Sequence, residues 1–231
     1  MFEIDIGKIL EIGLPTGEFV NLVPVWFYSF SAVAYAIAAF ISLLITFFSF
    51  KSYRSTNKNL YLVLGISFLI LTAAYSILTF TSVYTYFYQD FFRGFLSLNL
   101  VNYRGFNFYY IFSLAAYFLL DILYLPKKFK KGFRILFVPL WYVNLFSFHI
   151  ISLALLSFVV LRTAMNFSKL KTVNSFLVFF CFSMIALSHI SMIVLPFDLM
   201  SYLLAHAVLA IGFLSILIML IRVNYSGRKK K

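Results

Sequence analysis

The stretch NSFLVFFCFSMIALSHISMIVLPFDLMSYLLAHAVLAIGFLSILIMLIRV, Asn174–Val223, decides the fold. Two apolar segments flank the break Val194-Leu195-Pro196-Phe197-Asp198, and each is long enough to cross a ~30 Å hydrocarbon layer as a helix. So short a break joins antiparallel neighbours. It also sets two histidines at matching depth. His189 lies seven residues before Pro196 and His206 eight after Asp198. At ~1.5 Å rise per residue, both fall roughly 10–12 Å below one face. Two imidazoles at one depth on adjacent helices are candidates to share a proton, a metal or a cofactor.

The rest of the chain is of the same kind. Hydrophobic residues make up 63% and charged residues 11%, far from soluble-domain usage. The fold class is therefore an all-α integral membrane protein, a seven-transmembrane-helix bundle. Spans are predicted at about 24–50, 60–83, 106–125, 131–146, 148–168, 174–195 and 199–223. Residues 1–23 form an external segment with Glu3, Asp5, Glu11 and Glu18 and no signal-peptide pattern. Residues 224–231 form a basic cytoplasmic tail. Ser31, Ala34, Ala38 and Ser42 give span 1 a small-residue face suited to close helix packing. The aromatic connection Tyr84–Gly105 reads as an interfacial helix, with a lid over a pocket as the sharper alternative.

Residues 131–168 are long enough for either one helix or two short ones. Charge favours two. With seven spans, the basic residues after spans 1, 3 and 5 and at the C-terminal end share one side, and they include sixteen of the 19 Lys and Arg. The positive-inside rule then puts the C-terminus in the cytoplasm and the N-terminus outside. The net charge of +12 is explained by a lipid bilayer with an anionic inner leaflet and calls for no nucleic acid. The expected location is the cell membrane, as a multi-pass protein.

Few residues offer chemistry. His149, His189 and His206 all map to the outer half, where a polar side chain must find a partner. They read either as interhelical hydrogen-bond glue or as a ligand site, imidazole being suited to transition metals and haem. Asp121 is the one intramembrane carboxylate. Its expected partners are Lys127, Lys128 and Arg162, and with no second buried carboxylate a relay across the membrane is not expected. Cys181 stands alone, so no internal disulfide forms.

The layout resembles microbial rhodopsins and G-protein-coupled receptors, but the motifs do not follow. Span 7 has no lysine between Leu199 and Ile221, so no retinal Schiff base forms. Span 3 ends Asp121-Ile122-Leu123-Tyr124-Leu125-Pro126, without the receptors' Asp-Arg-Tyr. The expected function is binding of a small ligand or cofactor in an outer-half pocket lined by histidines, of sensory or redox type. A sensor with so short a tail needs a membrane protein partner. The alternatives are a small transporter or channel, and a non-catalytic subunit of a larger membrane complex. No catalytic residue is assigned.

Overall fold

The structure is a computed structural model, and it describes residues 25–88, 96–124, 145–194 and 200–226. Six helices account for nearly all of these: α1 Val25–Thr56, α2 Asn59–Tyr88, α3 Leu96–Tyr124, α4 Leu145–Leu170, α5 Val173–Val194 and α6 Met200–Ser226. All six are long and apolar enough to cross a membrane. The chain is that of a multi-pass membrane protein. The span expected at 131–146 falls almost wholly on residues 125–144, outside the described residues.

The helices outrun the predicted spans. α1 continues through Lys51-Ser52-Tyr53-Arg54-Ser55-Thr56, beyond the span expected at 24–50, and the turn shrinks to Asn57 and Lys58. Asn57 closes α1 with φ 52°, its N–H donating to the Tyr53 carbonyl at 2.7 Å. Asparagine tolerates this left-handed conformation. Lys171 does the same after α4 at φ 49°, donating to Phe167 at 2.8 Å. Thr172 then caps α5: its hydroxyl oxygen accepts from the Ser175 N–H at 3.2 Å. In its described parts the aromatic connection Tyr84–Gly105 is the end of α2 and the first third of α3; residues 89–95 lie outside the described residues. Hydropathy locates the apolar middle of a helix and is blind to amphipathic turns beyond it.

Sequential helices pack side by side, and α1 also packs on α6, closing a ring. Ring contacts fix the directions. Tyr117 meets His189 and Tyr124 meets Phe182, so α3 and α5 are antiparallel. His149 meets His189 and Phe167 meets Phe176, so α4 and α5 are antiparallel too. α3 and α4 therefore run the same way. So do α1 and α6, because Ser31 bonds Tyr202 near their starts and Ser52 bonds Asn224 near their ends.

The inward faces repeat every three and four residues. α1 buries Ser31, Tyr35, Ala38, Ser42, Ile45, Ser49 and Ser52, and α2 buries Leu64, Phe68, Leu71, Tyr75, Leu78, Ser82 and Thr85. This is the seam of left-handed helix packing. In lipid the apolar residues gain nothing by facing protein, so close fit and interhelical polar contacts hold the bundle. Gly105 is one such fit: a Cβ there would collide with the Thr81 side chain.

Candidate functional site

All three histidines lie near one end of the bundle. His149 is four residues into α4, His189 five from the end of α5, and His206 six into α6. At ~1.5 Å per residue they sit roughly 6–9 Å inside those ends. Each is buried. The three histidines thus lie near the same end, but their partners differ from the expected ones.

His189 pairs with His149. Their Nδ1 atoms are 2.8 Å apart, and the rings are tilted at a centroid distance of 5.0 Å. The second nitrogen of His189, Nε2, lies 3.1 Å from the Tyr117 hydroxyl. The Tyr109 ring lies 5.7 Å from the Tyr75 ring and 5.3 Å from Phe148. Phe148 packs edge-on to both histidine rings and stacks on Tyr110 at 4.4 Å. The hydrogen-bonded chain His149–His189–Tyr117 ties α4, α5 and α3.

His206 belongs to a second cluster, facing α1. Its Nδ1 lies 2.9 Å from the Tyr202 carbonyl, which only accepts, so the proton is on Nδ1. Its ring packs on Tyr35, Tyr202 and Phe30. The Tyr202 hydroxyl donates to the Tyr35 oxygen at 3.3 Å and lies 2.6 Å from Ser31 Oγ. The two clusters meet where the Tyr35 ring stacks on Tyr75. The expected sharing between His189 and His206 is replaced by the pair His149–His189. The cause is rotational phase: at 100° per residue, equal depth leaves the facing open. α5 turns His189 towards α3 and α4, and α6 turns His206 towards α1.

Asp121 lies three residues before the end of α3. It is 1% exposed, and its Oδ1 has no hydrogen-bond partner among the described residues. Arg162, expected beside it, instead holds its guanidinium over the Phe158 ring at 5.4 Å. Lys127 and Lys128 lie outside the described residues.

Among the described residues, no group of three or more His, Cys, Asp or Glu could hold a metal ion. A zinc 2.0–2.1 Å from both Nδ1 atoms at a tetrahedral angle needs them ~3.3 Å apart. The observed 2.8 Å is a hydrogen-bond separation, so this pair fits a shared proton and not a shared metal.

The sequence reading missed the tyrosines. A signal was present: Tyr103, Tyr110, Tyr117 and Tyr124 recur every seven residues along α3, which keeps them on one stripe of a helix.

Compared with family models, with curated proteins and with solved structures, the chain finds no match in any of the three.

Proposed function

We propose that this multi-pass protein crosses the cell membrane seven times, with its N-terminus outside and its C-terminus in the cytoplasm. In this reading it responds to a small ligand through the histidine–tyrosine chain in its outer half, as a protein of sensory or redox type. The observation that carries the reading is the buried chain His149–His189–Tyr117.

The helix directions support the topology. The chain leaves α3 at Tyr124 and enters α4 at Leu145. Phe148 is level with Tyr110, so Leu145 is level with about residue 107 of α3. The connection must therefore climb back past some seventeen helical residues, ~26 Å at ~1.5 Å each. Twenty residues are enough to cover that distance as a helix, which supports the reading of a further span at 131–146. The ends carrying Lys51, Arg54, Lys169 and Arg222 then share one side, the cytoplasmic one by the positive-inside rule.

The chain has two polarities. In one, His149 Nδ1–H donates to His189 Nδ1, and His189 Nε2–H donates to the Tyr117 oxygen. In the other, the Tyr117 hydroxyl donates to Nε2, and His189 Nδ1–H donates to His149. Reversal exchanges both tautomers and turns His149 Nε2 from acceptor to donor. A small ligand that donates or accepts a hydrogen bond at that nitrogen favours one polarity, and the bias reaches α3 through Tyr117. A ligand shifts such an equilibrium only by its differential affinity for the two states. For a redox role, the same geometry gives the Tyr117 phenol an imidazole neighbour for its proton.

A second reading is favoured by the close ring packing of Phe148 on both histidines. In it the pair is hydrogen-bond glue in a non-catalytic subunit of a larger complex.

Nitrogen-15 NMR of histidine-labelled protein in lipid nanodiscs separates the two. Tyr117→Phe removes a hydroxyl bonded to His189. If the chain is reversible, the ring-nitrogen shifts of His149 also move, while those of His206 stay. An unchanged His149 overturns the responsive reading and leaves the glue.

A further inference from the structure

The opposite end of the bundle holds a cavity that the histidine chain does not use. It lies where the last turns of α1 and α6 run side by side. Its volume is about 160 Å³, and Phe47, Phe48, Lys51, Asn224 and Tyr225 line it. That is below the ~300–1,000 Å³ of drug-sized pockets.

The cavity is built on a fixed joint. The two amide hydrogens of Asn224 are spread over three acceptors: Ser52 Oγ at 2.8 Å, the Leu220 carbonyl at 2.8 Å and the Phe48 carbonyl at 3.2 Å. Asn224 is buried by these contacts and pins α6 to α1. The Lys51 ammonium sits over the Phe48 ring, 5.9 Å from its centroid. The flanking rings face outwards, Phe47 at 60% exposure and Tyr225 at 64%.

The charge is one-sided. Lys51, Arg54 and Arg222 belong to these turns, and both arginines are exposed. Asp121 is the one acidic residue among the described residues, and it is buried on α3. No described carboxylate is therefore available to these cations. Two helix C-termini contribute roughly −0.5 charge each. Three cations outweigh that and leave a net positive site.

Position identifies the ligand. The apolar stretch Tyr28–Thr56 has 29 residues, ~43 Å of helix against a ~30 Å hydrocarbon core. Lys51 then falls at the headgroup level, with Phe47 one turn deeper beside the acyl chains. We propose that this cavity holds the phosphodiester headgroup of an anionic phospholipid, with Lys51 as its counter-ion and with Phe47 and Tyr225 against its glycerol and chains. A free phosphate shares the charge but has no use for the outward-facing rings. The proposal is independent of the histidine chain, so either can fail alone.

Native mass spectrometry of the protein in neutral detergent tests this with equal amounts of phosphatidylglycerol and phosphatidylcholine. Phosphatidylglycerol is expected to be retained preferentially. Lys51→Met, which keeps an apolar stem, is expected to weaken its retention about fivefold, the factor one basic residue contributes near an anionic headgroup. Lys51→Arg, which keeps the charge, and Lys169→Ala, which removes an exposed lysine at the same end, are expected to retain it. Matching unfolding temperatures in neutral detergent show that the variants are folded. Equal retention of the two lipids, or a Lys51→Met no weaker than Lys169→Ala, overturns the proposal. Displacement of phosphatidylglycerol by millimolar inorganic phosphate also overturns it, in favour of a free-anion site.

Discussion

His149 and His189 meet Nδ1 to Nδ1 at 2.8 Å across the α4–α5 interface, so one of these nitrogens must donate while the other accepts. Neither ring can serve without its partner. Removing one leaves a polar nitrogen in an apolar interior, while removing both leaves no orphan at that joint. His149→Ala and His189→Ala should each lower stability by about 0.6–1.7 kcal/mol, the range of interhelical hydrogen bonds in membranes. The double variant should cost less than the two together. His206→Ala, whose bond goes to the Tyr202 carbonyl, should add independently. Thermal unfolding in detergent gives all four numbers. Strict additivity of His149 and His189 would show that the pair is not bonded in the membrane.

Asp121 carries the opposite expectation. Its Oδ1 is buried without a partner among the described residues, and an unsatisfied buried polar group costs about 1–3 kcal/mol. An apolar residue of similar size removes that cost. Asp121→Leu should therefore raise the unfolding temperature. A lower one would mean that the carboxyl group has a partner beyond the described residues.

How far the sequence could be read follows from such residues. The existence of the helices was legible because long apolar runs have one outcome in lipid. Their lengths were not, because Lys51-Ser52-Tyr53 and Tyr84–Tyr88 continue a helix without being apolar enough to announce it. The similar distances of His189 and His206 from the break between α5 and α6 follow directly from the helix rise. Their facing does not, because it depends on which neighbours the ring closure supplies. α1 packs on α6 across more than 140 residues of chain, and that contact claims His206. His149 was placed near a turn, and α4 instead begins at Leu145, early enough to bring its ring inside.

Gly105 tests the fit between α2 and α3. A Cβ there would run into Thr81, whose own hydroxyl is held by the Ile77 carbonyl at 2.9 Å and cannot swing away freely. Overpacking of this kind costs about 1–3 kcal/mol. Gly105→Ala should destabilise the bundle by that amount, and adding Thr81→Ala should recover most of it. No recovery would mean that the glycine is needed for some other reason than Thr81.

The number of crossings can be read by cysteine labelling, because the native Cys181 is fully buried and should stay silent to an impermeant maleimide. Ser55 and Ser168 are exposed at the ends of α1 and α4, and Met200 is exposed at the start of α6. α1 ends on one side, and α2 and α3 return the chain to that same side at Tyr124. If residues 125–144 add a crossing, α4 starts opposite and ends back beside α1. Ser55→Cys and Ser168→Cys should then be labelled from one side of sealed vesicles, and Met200→Cys from the other. If the connection stays on one side, α4 is inverted, and Ser168→Cys joins the side opposite Ser55→Cys. That outcome would contradict the parallel packing of α3 and α4 implied by the contacts of Tyr117, Tyr124 and Phe167 with α5. It would also split the basic residues between the two faces, against the bias that orients membrane helices. Two independent constraints, contact geometry and charge, therefore predict the same labelling pattern.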